Sequence, residues 1–367
     1  MVAVTYNGQS SDIFSLRLSA DSLTGATPLG PAPWKQEQAF VKGDTATGAS
    51  DVVITEPHEL PIKRGFVDKR YAGEAGYSFL ADTETRLSLG AAYSRETDYT
   101  SYSGRVGVAR DFNNKNTTAS LALNLERDRS RPTTGTPVPL TPIDGIAVNG
   151  PDEKKTVLNV VAGLTQIVNR AWLVQLNYSY GHATGYQTDP YRLISMVDRR
   201  TGGPVQYLYE GRPRMRTRHS VYLGAKGAVG QTVLDLSARA YRDSWGIKSI
   251  TLQAADRLPV TRRLYLEPMV RYYRQSAADF FSYYILQGPL PGYASSDVRL
   301  GKFSAVTLGL KLGFKFGRSS ELYLRGEYYK QYGAQRPAGA PGDLANEVVF
   351  SGVRATSVMA GYSFVFD

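Results

Sequence analysis

Along residues 303–316 the sequence FSAVTLGLKLGFKF changes character at every step. Val306, Leu308, Leu310, Leu312, Phe314 and Phe316 share one parity, and Ala305, Thr307, Gly309, Lys311, Gly313 and Lys315 share the other. A period of two belongs to an extended strand whose side chains alternate between its faces. One face is wholly apolar and the other is small or charged. That suits either a soluble sandwich, where the apolar face meets a second sheet, or a barrel strand with lipid outside and a polar lumen inside.

The same alternation recurs at 12–21, 66–79, 85–96, 102–112, 117–128, 154–168, 172–184, 217–228, 232–243, 247–257, 263–275, 321–331 and 354–366. With 303–316 this predicts about fourteen strands, an ordinary number for a transmembrane barrel. Their connections separate by length. ADTE, NNKN, NRA, AVGQ, LPVT and GRSS are tight turns, while the long Pro/Gly-rich connections 22–65, 129–153, 185–215, 276–299 and 332–353 all fall on the opposite end. A sandwich has no reason to collect its long loops on alternate connections. The pattern therefore predicts one all-β domain over 1–367: a transmembrane antiparallel up-and-down β-barrel with short periplasmic turns and long extracellular loops. An even strand count places both ends of the chain on the periplasmic side.

Composition changes this picture little. The chain has no cysteine, so neither a disulfide framework nor thiol chemistry enters. No apolar run approaches the ~20 residues of a spanning helix. The opening MVAVTYNGQSSD lacks a basic region followed by an apolar core, so it does not read as a signal peptide, and an exported barrel is expected here in mature form. The formal net charge of +10 is spread over strands and loops without a compact basic run, which argues against nucleic acid.

Charge on the polar parity supplies the candidate chemistry. Arg17, Glu74, Arg86, Arg105, Glu126, Arg218, Lys226, Asp235, Arg239, Glu267, Arg271, Lys311, Lys315, Arg325 and Glu327 are expected to line the lumen. They fit a water-filled pore selecting small polar or anionic solutes by fixed charge. The alternative is a salt-bridged network filling a plugged scaffold barrel that anchors a periplasmic or surface partner, since buried charges persist only when paired; the excess of basic residues tips the reading to the pore. Arg192, Arg199, Arg200, Arg212, Arg214 and Arg216 make the 185–215 loop basic. Their guanidinium forks suit solute carboxylates or the phosphates of lipopolysaccharide, and they equally suit a solvated loop or one folded inward onto lumen acids. There is no GxSxG, HExxH, P-loop or paired-Cys spacing, and no cofactor or resident metal is expected. A rim hydrolase built on His182 or His219 with Asp189 or Ser220 is the weakest reading, and a calcium site from Asp189 and Asp198 is equally unforced.

Several stretches carry a family resemblance. They are DSLTGATP at 21–28, NYSYGHATGYQTDPYR at 177–192, YLYEGRPRMRTRHSVYLGAK at 207–226, YRDSWGIKS at 241–249 and YLEPMVRYYRQSAADFF at 265–281. They resemble an uncharacterised, domain-of-unknown-function family of Gram-negative outer-membrane proteins. The final strand, with Val358, Ala360, Tyr362, Phe364 and Phe366 on one face, resembles the assembly signal of such proteins, although Asp367 follows the last Phe. The resemblance implies an outer-membrane barrel surrounded by lipid and lipopolysaccharide and inserted by the barrel-assembly machinery. It implies no catalytic residues, and it hints at a redox-linked envelope system.

Overall fold

The computed structural model describes residues 1–7, 11–43, 50–133, 135–144, 148–317 and 320–364. Its main element is one fifteen-stranded sheet in which each strand pairs with the next along the chain. The strands are β1 (Val2–Asn7), β2 (Ile13–Pro28), β3 (Ile62–Leu80), β4 (Thr85–Arg95), β5 (Tyr99–Phe112), β6 (Thr117–Ser130), β7 (Glu153–Ile167) and β8 (Trp172–Gly185). They continue with β9 (Met215–Val229), β10 (Thr232–Asp243), β11 (Lys248–Pro259), β12 (Leu264–Gln275), β13 (Phe303–Phe316), β14 (Ser320–Gly333) and β15 (Arg354–Phe364). Every pairing is antiparallel.

The sequence predicts fourteen of these strands, and β1 is the addition. Val2, Val4 and Tyr6 do alternate with Ala3, Thr5 and Asn7, but a six-residue run at a chain end is too short to announce itself. Its pairing with β2, Val2 opposite Leu18 through Asn7 opposite Ile13, is what makes it a strand. The count is therefore odd, so β1 and β15 run in the same direction. No ladder joins them among the described residues. Phe366 and Asp367 lie outside the described residues.

The apolar parity faces out. Leu308, Leu310 and Leu312 are 54%, 51% and 41% exposed, whereas Ala305 and Thr307 on the other parity are 2% and 8% exposed. Phe14, Leu16, Leu18, Leu121, Leu123, Leu125, Leu252 and Leu324 carry the outward apolar face around the sheet. No described helix is long and apolar enough to cross a membrane, which leaves strand-based crossing untouched.

The buried hydrophobic core lies largely among the long loops. Within 29–61 the hairpin Gln38–Gly43/Ser50–Thr55 forms, and 186–214 contributes Leu193–Val197 and Pro204–Tyr209. Leu193–Val197 pairs antiparallel with Pro204–Tyr209 and parallel with Tyr284–Leu286 from the 276–302 loop. Phe40, Leu193, Ile194, Val197, Leu208 and Leu344 are at most 1% exposed. These loops bind one another by backbone: Leu193 N–H donates to the Leu29 carbonyl at 2.8 Å, Tyr209 N–H to that of Thr141 at 3.0 Å, and Asp343 N–H to that of Thr201 at 3.0 Å. Gly202 and Gly342 permit the last approach, because both have positive φ and a Cβ on either would strike the facing backbone. The 29–61 loop and the 334–353 loop, from opposite ends of the chain, share a core in Trp34, Val197, Leu344 and Val349. The sheet must curl round for them to meet, so its loop end is spanned by a folded cap.

Candidate functional site: an arginine chamber beneath the cap

Beneath the cap, β10, β11 and β12 bring two rungs of inward side chains into register. Arg239 lies opposite Thr251, which lies opposite Tyr273; Tyr241 lies opposite Ser249, which lies opposite Gln275. Arg216 from β9 joins them, and Arg212, Asp297, Arg299 and Leu300 descend from the cap. The space they enclose is about 410 Å³.

The four arginines differ in how far they are neutralised. Arg216 forks onto Asp243 at 2.5 and 2.9 Å, and its guanidinium lies 4.2 Å from the centre of the Trp245 ring. Trp245 is held by its own indole N–H, which donates to the Met215 carbonyl at 2.9 Å. Arg212 contacts Glu210 at 2.6 Å and donates to Asp297 at 2.9 Å. Arg299 grips Asp297 at 2.6–3.0 Å while leaving 69% of its side chain exposed. Arg239 donates to the Ser220 hydroxyl at 2.7 Å and has no carboxylate partner among the described residues. The chamber thus carries excess positive charge, and Tyr241, Tyr273, Ile247 and Leu300 give it partly apolar walls.

Asp297 anchors the roof. It is 1% exposed and faces Arg192, Arg212 and Arg299. Burial opposes its ionisation, but the Arg299 hydrogen bonds and the three arginine charges outweigh that and hold its carboxyl well below the usual range. Glu210 behaves in the opposite way: burial pushes its carboxyl up against the pull of Arg212 and of a short hydrogen bond from Ser295.

The signs follow. A lowered carboxylate contributes stability that is complete above its unfolded pKa of ~4 and is lost only as pH falls through its folded value. Glu210's raised pKa contributes at low pH and loses that contribution as pH rises through it. Amide protection in 186–214 and 276–302, measured against the intrinsic exchange rate at each pH, should therefore hold down to about pH 5 and fall only in stronger acid. Loss of protection already above pH 5 would show that Asp297 is not the anchor.

Several of the other inward charges form ion pairs. At the turn end a space of about 350 Å³ is bounded by Lys226, Asp235, Arg257, Glu267, Lys311 and Arg325. There Lys226–Asp235 (3.5 Å), Arg257–Glu267 (3.1 Å), Lys311–Glu321 (3.3 Å) and Arg325–Glu327 (2.5 Å) neutralise one another. Arg17 meets Glu74 at 3.6 Å, and Arg86 donates to the Ser11 carbonyl and the Ser78 hydroxyl. Arg271 donates to Gln253 and Arg218 to Asn159, Arg105 lies across Gly90, Lys315 sits at the turn end, and Glu126 opposes Ser103 on β5.

The loop arginines are largely drawn in. Arg192 is buried against Asp297, Arg214 binds Glu153 and Arg216 binds Asp243, while Arg199 donates to the Gln287 carbonyl and Arg200 stays exposed beside Asp198. The rim-hydrolase grouping does not assemble. His182 pairs with Thr217 and His219 with Tyr178 on the outward face, whereas Ser220 faces inward onto Arg239. Asp198 closes its own turn on Arg200 and Thr201, away from Asp189, and no group of three His, Cys, Asp or Glu able to hold a metal occurs among the described residues. Asp297 and Arg299 escape a sequence reading because SSDVRL at 295–300 has no period that would mark it, and Glu210 sits unmarked in the arginine-rich 185–215 loop.

No curated protein matches the chain. Among solved structures it is similar to the ferric enterobactin receptor PfeA of Pseudomonas aeruginosa, at 10% identity and a TM-score of 0.47, covering 98% of this chain and 55% of that one. It is similar to BamA of Haemophilus ducreyi lacking POTRA domains 1–3, at 12% identity and 0.44, covering 90% and 68%. A bacterial polysaccharide outer membrane secretin gives 13% and 0.42, covering 96% and 98%. The chain spans about half the length of the PfeA receptor it matches, and at these scores the likeness bears on neither detailed fold nor function. A family model, by contrast, matches residues 1–364, and the chain belongs to that family, Protein of unknown function (DUF3570).

Proposed function

We propose that the protein is an outer-membrane β-barrel closed at its loop end by the folded cap, which takes a small anionic solute into the arginine chamber beneath. The membrane part of this reading is supported by the outward apolar face, since a soluble protein rarely exposes apolar patches of such extent. The observation that carries the closed reading is the interlocked cap. Five long loops share buried cores and backbone hydrogen bonds, where a simple open pore needs a clear mouth. This favours the plugged barrel over the open porin-like channel.

Conductance of the detergent-folded protein in a planar lipid bilayer tests it. The intact protein should insert without stable single-channel steps. Loosening the cap should produce steps with anion preference, and that preference should fall when Arg239→Gln and Arg299→Gln are added. Stable steps from the intact protein would overturn the closed reading.

A further inference from the structure

We infer that the solute of the arginine chamber is a short hydroxylated dicarboxylate, one end on Arg239 of the barrel wall and the other on Arg299 of the cap, and that by bridging the two it clamps the cap shut. This deepens, and rests on, the reading of the chamber as an anion site.

Two of the chamber's guanidiniums are accessible. Arg239 is exposed to the lumen; its Nε donates to the Ser220 hydroxyl, and its Nη1 and Nη2 have no partner among the described residues. Arg299 uses Nε and Nη2 on Asp297 yet leaves 69% of its side chain exposed. Arg212 and Arg216 present only 10% and 22% of theirs. Charge points to a ligand with more than one negative group. Around the chamber and its roof, Arg192, Arg212, Arg216, Arg239 and Arg299 meet Asp189, Glu210, Asp243 and Asp297. That leaves one positive charge unmatched among the described residues, and nearer two as burial pushes Glu210 towards its neutral form.

The two accessible guanidiniums come from opposite ends of the space. The cap rests on the upper rung, where Gln275 Nε2 donates to the carbonyls of Arg299 at 3.0 Å and Gly301 at 2.7 Å. Arg239 belongs to the rung below, two residues further along the strands, or about 7 Å. A compact anion reaches one end. Two carboxylates joined by a short chain reach both, each in the two-point contact that a guanidinium makes with a carboxylate. Ser249 and Thr251 stand between the two ends on β11 with no side-chain hydrogen bond among the described residues, so they favour hydroxyls on that chain. At about 410 Å³ the space is near the small end of ligand sites, roughly 300–1,000 Å³, which keeps the chain to a few carbons.

Bridging has a consequence for the cap. Opening lifts Arg299 off the upper rung while Arg239 stays on the wall, so a solute held at both ends must first let go of one. Such a solute binds the closed cap alone and stabilises it in proportion to its saturation. A solute held by the wall alone does not.

The test uses the full chain folded in detergent, with malate, succinate, lactate and inorganic phosphate as probes. Binding is read by calorimetry, and cap closure by amide protection of 276–302. Malate should bind about tenfold or more tighter than lactate, its counterpart with one carboxylate, since a charge-assisted contact contributes at least that much. It should also bind more tightly than succinate, which lacks the hydroxyl, and than phosphate, which is too compact to bridge. At about a hundred times its Kd, malate should slow exchange through cap opening about a hundredfold, and lactate should leave it unchanged. R239Q should weaken both acids, R299Q malate alone, and K226Q at the turn end neither. Because Arg299 also grips Asp297, R299Q is read by its malate-to-lactate ratio, and the parent's ratio stands without any variant. Equal binding of malate and lactate, or equal protection by both, would overturn the bridge and leave the anion chamber standing. Binding of none of the four probes would overturn the chamber reading itself, and the bridge with it.

Discussion

Asp297→Ala should open the cap while leaving the barrel folded. The carboxylate is 1% exposed and is shared by Arg192, Arg212 and Arg299. Removing one member of a buried charge group leaves the others uncompensated, at a cost on the order of 3–5 kcal/mol. It also removes the acceptor for the Arg299 backbone N–H at 3.0 Å, which starts the short helix Val298–Leu300. Because the loops share cores, the loss should spread through 186–214 and 276–302 as one unit. Limited proteolysis should cut both loops, while the strands keep their circular-dichroism signal. Asp297→Asn, which can still accept at the helix start, should fall between parent and alanine. Glu210→Gln should have less effect, because burial already pushes that carboxyl towards its neutral form. A cap that stays protease-resistant in Asp297→Ala would place its stability in the apolar contacts alone.

Leu310→Arg should separate a membrane barrel from a soluble one. Leu310 is midway along β13, on the outward parity, and is 51% exposed. In a soluble protein this is a surface substitution worth no more than about ±0.5 kcal/mol. At the middle of a bilayer an arginine on the lipid face costs about 2–4 kcal/mol. Denaturant unfolding from lipid vesicles, compared between parent and variant, reads the difference. Lys311→Gln next door gives a contrasting control. Its side chain points inward to Glu321 at 3.3 Å, so its effect should come from one unpaired lumen acid and should not depend on bilayer thickness. A Leu310→Arg protein as stable as the parent in vesicles would remove the main support for the membrane reading.

How much of this was legible in advance differs from element to element. Period-two alternation is a local property, so β13 is readable from Phe303 to Phe316 and its outward face from the same six apolar residues. Tight turns such as 113–116 are equally local, with Asn113, Asn114 and Lys115 at positive φ. The candidate lumen residues follow from the same parity. Strand β1 was missed because six residues carry too little pattern without the partner that pairs with them.

The chamber and cap are another matter. Arg239 and Arg216 are visible as basic residues in the sequence, but Asp297 lies 81 positions after Arg216 and in no periodic segment. Whether mixed charges form an open ring or a closed network depends on which acids the loops carry to which arginines. That pairing separates a neutralised turn end from a basic chamber in one lumen. Fourteen strands of the main sheet, with their faces, were determined by the sequence alone, because each depends on residues within a few positions of one another. Closure of the loop end and the burial of Asp297 were decided by tertiary structure, because each requires segments far apart in the chain to meet at one place.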